Sequence, residues 1–558
     1  ADATFANTIS ALDHASWDML TLLSRMWLMK ETQPEPAMRA ACTEAVKELE
    51  QWAVAAQYRE DVYRACKAFA DAYEAGDRGT LAGEELKLFK EVMRDYRRAG
   101  LHLDKATRDR VETLQKWLSE VSNDFNTNIT DAKVVVYLTK DELKGVPEDF
   151  LKTIVTPAGR YAVNATVTPH FMMVMSNADS AETRLKIKRA RFMAAQDGHG
   201  PILNELVAVR DEVASLLGYA NWADYQTEVK MAKDGKTAIE FCENLAKGLE
   251  PKFRAELAEC AKIKQEKTGE GSPEIHLWDW RYYDNLMKKS KYDVDAEQLR
   301  VYFEFERTLQ GMFDIYQSIF GLTFDQIDDE GSSWFEGVTL WMVTDSASGE
   351  PMGMFYLDNF PRDGKYNHFA QFDVVVGGRM PDGRYQRPVA ALVCNFTEPT
   401  EDKPSLLSHG EVETLFHEFG HAMHTILTRA ERPRFAGTNV PRDFVEAPSQ
   451  MLEAWVWDAD VLNTFAADYR DPSKKIDPAL IARMEEAKNA TTGVFYRRQL
   501  SLALGDLRLH TSGRHVDAAE ILNDTMAEIF LAPPEGTNFG AYWGHLTGYD
   551  AGYYGYAW

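Results

Sequence analysis

The sequence predicts a mostly helical chain with small β patches, and three observations carry that prediction. Residues 1–130 run through successive helical patterns rich in Ala, Leu, Glu, Lys and Arg. Short apolar and β-branched runs are confined to about 131–178 and about 333–397. Helical periodicity fills the space between them, to about 325, and dominates again after the second. No fixed period marks a solenoid.

Taken in order, the runs 134–139, 161–167 and 171–175 read as three short strands. The segment 268–273 (Thr-Gly-Glu-Gly-Ser-Pro) reads as a polar hairpin that breaks the helical run. The run 388–396 reads as a strand. At a sheet edge it could bind an extended peptide, although so apolar a run more often lies buried. Ser408-His409-Gly410-Glu411 fits the S-x-x-E capping box. It opens a helix whose apolar stripe is Val412, Leu415, Phe416, Phe419, Met423, Ile426 and Leu427. Arg429, Arg432 and Pro433 read as its stop. A loop at 435–441 precedes a second periodic run from about 443 to 457.

The first of these helices carries His417-Glu418-Phe419-Gly420-His421, the pattern H-E-x-x-H. Residues four apart share a helical face, so both imidazoles can address one metal ion. Glu418 projects about 100° around the helix, where its carboxylate can reach an attacking water without ligating the metal. Zinc in a catalytic site takes three protein ligands and keeps a position open. The third ligand is expected at Glu446, with 24 residues between it and His421 and near the start of the second run. Asp443, Glu411, Glu413 and Glu453 compete for that role. His424 continues the face of His421 and is read as a packed neighbour. Gly420 costs roughly 1 kcal/mol in a helix interior, which points to close approach of another backbone or of a substrate. Manganese or cobalt could use the same ligands.

With 62 basic and 87 acidic residues the net charge is −25, and no basic tract is present. Nucleic acid and anionic membranes are therefore poor partners. No apolar run reaches the roughly 18 residues of a spanning helix, and the amphipathic stretch from Trp17 to Met29 is broken by Asp18 and Arg25. Cys42, Cys66, Cys242, Cys260 and Cys394 are scattered and odd in number, as expected of reduced thiols in a cytoplasmic protein. A monomer is the favoured state.

Several stretches together carry a resemblance. These are 417–424 (HEFGHAMH), 443–450 (DFVEAPSQ), 278–283 (WDWRYY), 291–295 (KYDVD), 353–358 (GMFYLD), 361–366 (PRDGKY) and 545–556 (HLTGYDAGYYGY). With these the chain, from about 275 to its end, resembles the thimet oligopeptidase/neurolysin family of zinc metallopeptidases, peptidase family M3. The resemblance implies a neurolysin-like fold: two helical lobes, interleaved in sequence, flanking a deep active-site cleft, with β patches near the zinc. About 1–240 would form a mainly helical part, and 241–558 would carry the zinc helices and the Gly/Tyr loop. It further implies zinc ligation by His417, His421 and Glu446, Glu418 as general base, and Tyr556 first, then Tyr549, with His545 nearby, as oxyanion and substrate groups. Short peptides would be substrates, cut internally. A dipeptidyl carboxypeptidase of the same family, or a non-catalytic peptide-binding protein with structural zinc, are the alternatives. Glycines 548, 552 and 555 suggest a mobile loop, shorter by one glycine between His545 and Tyr549 than in thimet oligopeptidase and neurolysin. Family members run on past the position of Trp558, so further residues are expected there in the full-length protein.

Overall fold

The computed structural model describes residues 2–292, 299–328, 331–366, 369–396, 398–399 and 402–558. Residues 293–295 of the resemblance stretch 291–295 lie outside the described residues. The chain divides into two compact units, each made of two separate segments. One comprises Ala1–His102 and Asp295–Ala482, the other Leu103–Val294 and Arg483–Trp558. All five cysteines are buried free thiols. No helix among the described residues is long and apolar enough to cross a membrane.

The first unit combines helices with one five-stranded sheet. Its strands are β1 (Leu322–Ile327), β2 (Thr339–Asp345), β3 (Pro351–Asp358), β4 (Ala370–Val375) and β5 (Val389–Val393), in spatial order β1-β2-β3-β5-β4. β5 pairs parallel with β3 and antiparallel with β4, and every residue of β5 is buried. The apolar run near 390 is therefore an inner strand and cannot take up a peptide by edge pairing. The edges belong to β1 and to β4, the latter having β5 as its one strand neighbour among the described residues.

The helix His409–Ile426 lies against this sheet, and its cap is the capping box expected from Ser408 and Glu411. Its stripe Val412, Leu415, Phe416, Phe419, Met423 and Ile426 is buried. Phe419 is the aromatic hub. Its ring centroid lies 4.9 Å from Tyr316, 5.2 Å from Phe355 and 5.6 Å from both Phe313 and Phe324. Such edge-on and tilted pairs add about 0.5–1.5 kcal/mol each beyond burial, so the residue after Glu418 clamps the helix to β1 and β3.

Beneath β3 sits a buried ion cluster. Asp358 accepts from Arg362 Nη1 and Nη2 at 2.7 and 2.8 Å, from Lys365 Nζ at 2.8 Å and from Trp334 Nε1 at 2.8 Å. Lys365 also donates to the carbonyls of Asp358, Phe360 and Cys394. The stretches 353–358 and 361–366 thus fold as scaffold.

The second unit is built on the helix Gly235–Thr268, which packs against Thr492–Leu509, itself packed on Ala518–Ile529. The glycine of the expected break, Gly269, caps the long helix in the left-handed region at φ 76°. In the stretch 278–283, Asp279 is fully buried against Arg184 Nη2 at 2.6 Å and Lys264 Nζ at 3.0 Å. Strands are found within the expected runs, at Val135–Leu138 and Tyr161–Asn164, and they pair antiparallel. The run 171–175 is a correction, because it lies within the helix Thr168–Asn177. Buried Phe171, Val174, Met175 and Ala178 follow a helical period. A five-residue apolar run fits periods of 2 and 3.6 alike, and Pro169 in the first turn favours the helix.

Burial alone would raise the Asp358 carboxyl, but Arg362, Lys365 and Trp334 outweigh it and hold the group below the ordinary carboxylate range. The stability this contributes is present above the unfolded pKa and lost as pH falls through the folded one. Asp358→Asn should therefore destabilise the protein at neutral pH by about 3–5 kcal/mol. It should also flatten the acid limb of its stability curve, measured by denaturant unfolding between pH 3 and 7.

Candidate metal centre

Two helices assemble the site. The first carries His417 and His421 one turn apart. The second, Glu446–Glu453, begins with Glu446 and continues as a 3-10 turn at Ala454–Trp457. Their approach depends on Gly420, where an added Cβ would lie 2.9 Å from the Cα of Ser449 and 3.3 Å from Leu452 Cδ1. The close neighbour that a mid-helix glycine implied is thus the backbone of the second helix. Two further bonds zip the pair: His409 Nε2 contacts the Val456 carbonyl at 2.8 Å, and Trp457 Nε1 donates to Glu413 at 2.7 Å.

This packing brings one Glu446 oxygen to 3.1 Å from Nε2 of His417 and 3.1 Å from Nε2 of His421. Among the described residues, these three are the group whose ligand atoms converge, all within 4.8 Å of one another. Ser449 Oγ donates to the same Glu446 oxygen at 3.1 Å. The competing acids are engaged elsewhere. Glu411 closes the capping box and pairs with Arg300 at 2.8 Å. Glu413 takes Trp457. Glu453 lies 2.5 Å from Nδ1 of His417, on the side of the ring away from Glu446. His424 stands outside the cluster, and burial lowers its pKa.

The donors fit a divalent metal. Bonds of about 2.0–2.1 Å set ligand atoms of a tetrahedral zinc roughly 3.3 Å apart, close to the two carboxylate–imidazole separations of 3.1 Å. Glu453 holds a proton on Nδ1 of His417, which would leave the lone pair of Nε2 facing a carboxylate oxygen. A cation between them resolves that clash. Without one, a second proton does so. Burial would lower the His417 imidazole, but hydrogen bonds to Glu446 and Glu453 outweigh it and push it up to about 10. Glu446 is held far below the ordinary range, first by His417 and then by His421.

Glu418 is half-buried beside this group, on the turn facing β4. Burial raises its carboxyl, opposed by the charges of His417 and His421 and by the backbone N–H of Gln371 on β4.

His545, Tyr549 and Tyr556 belong to the second unit and cluster there. Ring centroids of His545 lie 5.7 Å from Tyr549 and 6.1 Å from Tyr556, and Tyr549 stacks on Tyr556 at 5.7 Å. Tyr556 is 49% exposed. The loop is more tightly held than its glycines suggested. Buried Asp506 accepts from the consecutive backbone amides of Ala551, Gly552 and Tyr553 at 2.8, 3.0 and 3.1 Å. Arg210 donates to the Leu546 carbonyl at 2.7 Å, and Asp550 accepts from Trp222 Nε1 at 2.6 Å. Sequence reasoning missed Asp506, and it missed Glu453 as the Nδ1 partner. The latter was readable as Glu446 plus seven, two turns along one face.

A sequence model of Peptidase family M3 matches residues 174–558. The chain belongs to peptidase family M3. It is 34% identical to the thimet-like oligopeptidase of Dictyostelium discoideum, over 99% of this chain and 84% of that protein. It is 33% identical to saccharolysin of Saccharomyces cerevisiae, over 96% and 78%. Oligopeptidase A of Escherichia coli is 32% identical, over 95% and 80%. This family M3 chain is a metallopeptidase, and membership implies a metal cofactor that the His-His-Glu group fits.

Two substitutions test the geometry. Glu453→Gln should weaken metal binding about 10–100-fold while leaving the circular dichroism spectrum intact. Gly420→Ala should destabilise by about 1–3 kcal/mol and also loosen the metal, since Ser449 and Glu446 must move together. Chelator competition and thermal melts report both.

Proposed function

We propose that this chain is a zinc-dependent oligopeptidase that hydrolyses internal bonds of short peptides, with Glu418 as the general base. The observation that carries this reading is the convergence of His417, His421 and Glu446 with the half-buried Glu418 carboxylate on the next helical position. A zinc ion held by the three residues supplies Lewis acidity and lowers the pKa of water toward neutrality. Glu418 accepts a proton from the attacking water and returns it to the leaving nitrogen. Its place on the next helical position sets it beside the cluster, and the Gln371 amide steadies its carboxylate. The outer edge of β4, which presents that amide, offers main-chain partners to an extended peptide. Tyr556, with Tyr549 and His545, is assigned to the substrate and the developing oxyanion, where one phenol donor contributes on the order of 3 kcal/mol. Reduced, buried thiols agree with a cytoplasmic setting.

Glu418→Gln should retain the metal, by elemental analysis, and lose at least about 100-fold in kcat. Removal of the metal by a chelator should abolish cleavage, and zinc should restore it. A peptide blocked at both ends should still be cut internally, by mass spectrometry of the products. Release of C-terminal dipeptides alone would replace this reading with a dipeptidyl carboxypeptidase.

A further inference from the structure

Strand β4 carries a carboxylate that no cation among the described residues answers. Every residue of β4 is partly exposed, in contrast to the buried β5 beside it. Gln371 and Asp373 stand two apart on β4 and so share a face. Gln371 Nε2 and Thr425 Oγ1 both donate to Asp373 Oδ1, each at 3.0 Å, which turns that face toward the helix His409–Ile426. The second oxygen, Oδ2, accepts no hydrogen bond from a described residue, and no Lys or Arg among them pairs with the group. The one basic side chain among them whose charge reaches Asp373 is His424. Burial, and then repulsion from His421, lowers the pKa of that imidazole, so it is uncharged at neutral pH. Burial in turn raises the Asp373 carboxyl, as expected of an acid touched by neutral groups alone.

The place of this group gives it a use. The backbone N–H of Gln371 meets the carboxylate of Glu418. Two residues of strand advance about 6.6 Å, so a peptide laid along this edge has its residue beside Asp373 about two positions from the bond under attack. Thr425 lies two helical turns beyond Glu418, and helix and strand flank that position together. A substrate side chain there meets a partly desolvated carboxylate with one oxygen free and no competing cation. An ammonium or guanidinium completes it with a charge-assisted hydrogen bond. A neutral side chain leaves the charge uncompensated, and an acidic one adds repulsion.

We propose that Asp373 is a specificity-determining residue that selects a Lys or Arg side chain about two residues from the cleaved bond. This rests on the oligopeptidase reading above and narrows its substrate class to short peptides with a basic residue at that position.

The test uses the whole metal-loaded chain and short peptides blocked at both ends. In one series a single Lys is moved along an otherwise neutral sequence, which holds net charge constant and cancels the long-range pull of an acidic protein. In a second, the residue at the favoured position is Lys, Met or Glu. Wild type should favour Lys at one position, and there kcat/KM for Lys should exceed that for Met by about tenfold or more, the gain expected of a charge-assisted contact. Glu should be the poorest of the three. Asp373→Asn keeps an oxygen for Thr425 and Gln371 and removes only the charge, so its Lys-to-Met ratio should fall toward one. A merely structural Asp373 would slow all peptides alike and leave the ratio standing, which overturns the proposal. Indifference of wild type to where the Lys stands overturns it too, and needs no variant. An unblocked neutral peptide whose first residue falls at that position, gaining what the blocked Lys peptide does not, overturns the side-chain assignment in favour of the terminal ammonium. If no peptide is cut, the oligopeptidase reading falls by itself. Calorimetric titration of the Lys and Met peptides into wild type and Asp373→Asn then decides the subsite: tighter Lys binding that the substitution removes supports it, and equal binding overturns it.

Discussion

The whole metal centre depends on one contact in which a glycine lets two helix backbones nearly touch. Gly420 sits between the two histidines of its helix, and Ser449 presses against it. Because Ser449 also bonds the Glu446 carboxylate, the contact that sets helix spacing sets the third donor too. Glu453, at the far end of the same short helix, then reaches the outer nitrogen of His417. One eight-residue helix thus supplies the donor, the group that steadies it and the group that orients an imidazole. The opposite face of the first helix is held by the rings around Phe419, so neither partner has freedom to drift.

How far the sequence reached can be judged residue by residue. The capping box at Ser408 and Glu411, the shared face of His417 and His421 and the buried stripe were legible because each is local, fixed by the helical repeat. Glu446 was expected from its place near the start of the second run, but what sets Glu413 and Glu453 apart from it is a partner 44 or 36 residues away, which no local pattern carries. Short apolar segments exposed the limits of periodicity. The run at 171–175 is helix where strand was expected, and the run near 390 is an inner strand where an edge was conceivable.

Much of what made the chain recognisable turns out to be scaffolding. Asp279 in the stretch 278–283, and Asp358, Arg362 and Lys365 around β3, are buried charges locked to one another. Asp506 does comparable work under the Gly/Tyr loop, gripping three successive amides so that Tyr549 and Tyr556 flank a fixed point. Buried, fully bonded polar groups of this sort specify one arrangement sharply, because any alternative strands a charge.

The spacing of side chains along the short helix Glu446–Glu453 has a consequence for how this stretch of chain can vary. Glu446, Ser449 and Glu453 act together only because the helical repeat sets them on one side. A one-residue insertion between Ser449 and Glu453 would swing Glu453 about 100° around the axis and release the imidazole, even with every side chain kept. Length, and not identity alone, is what this segment must preserve.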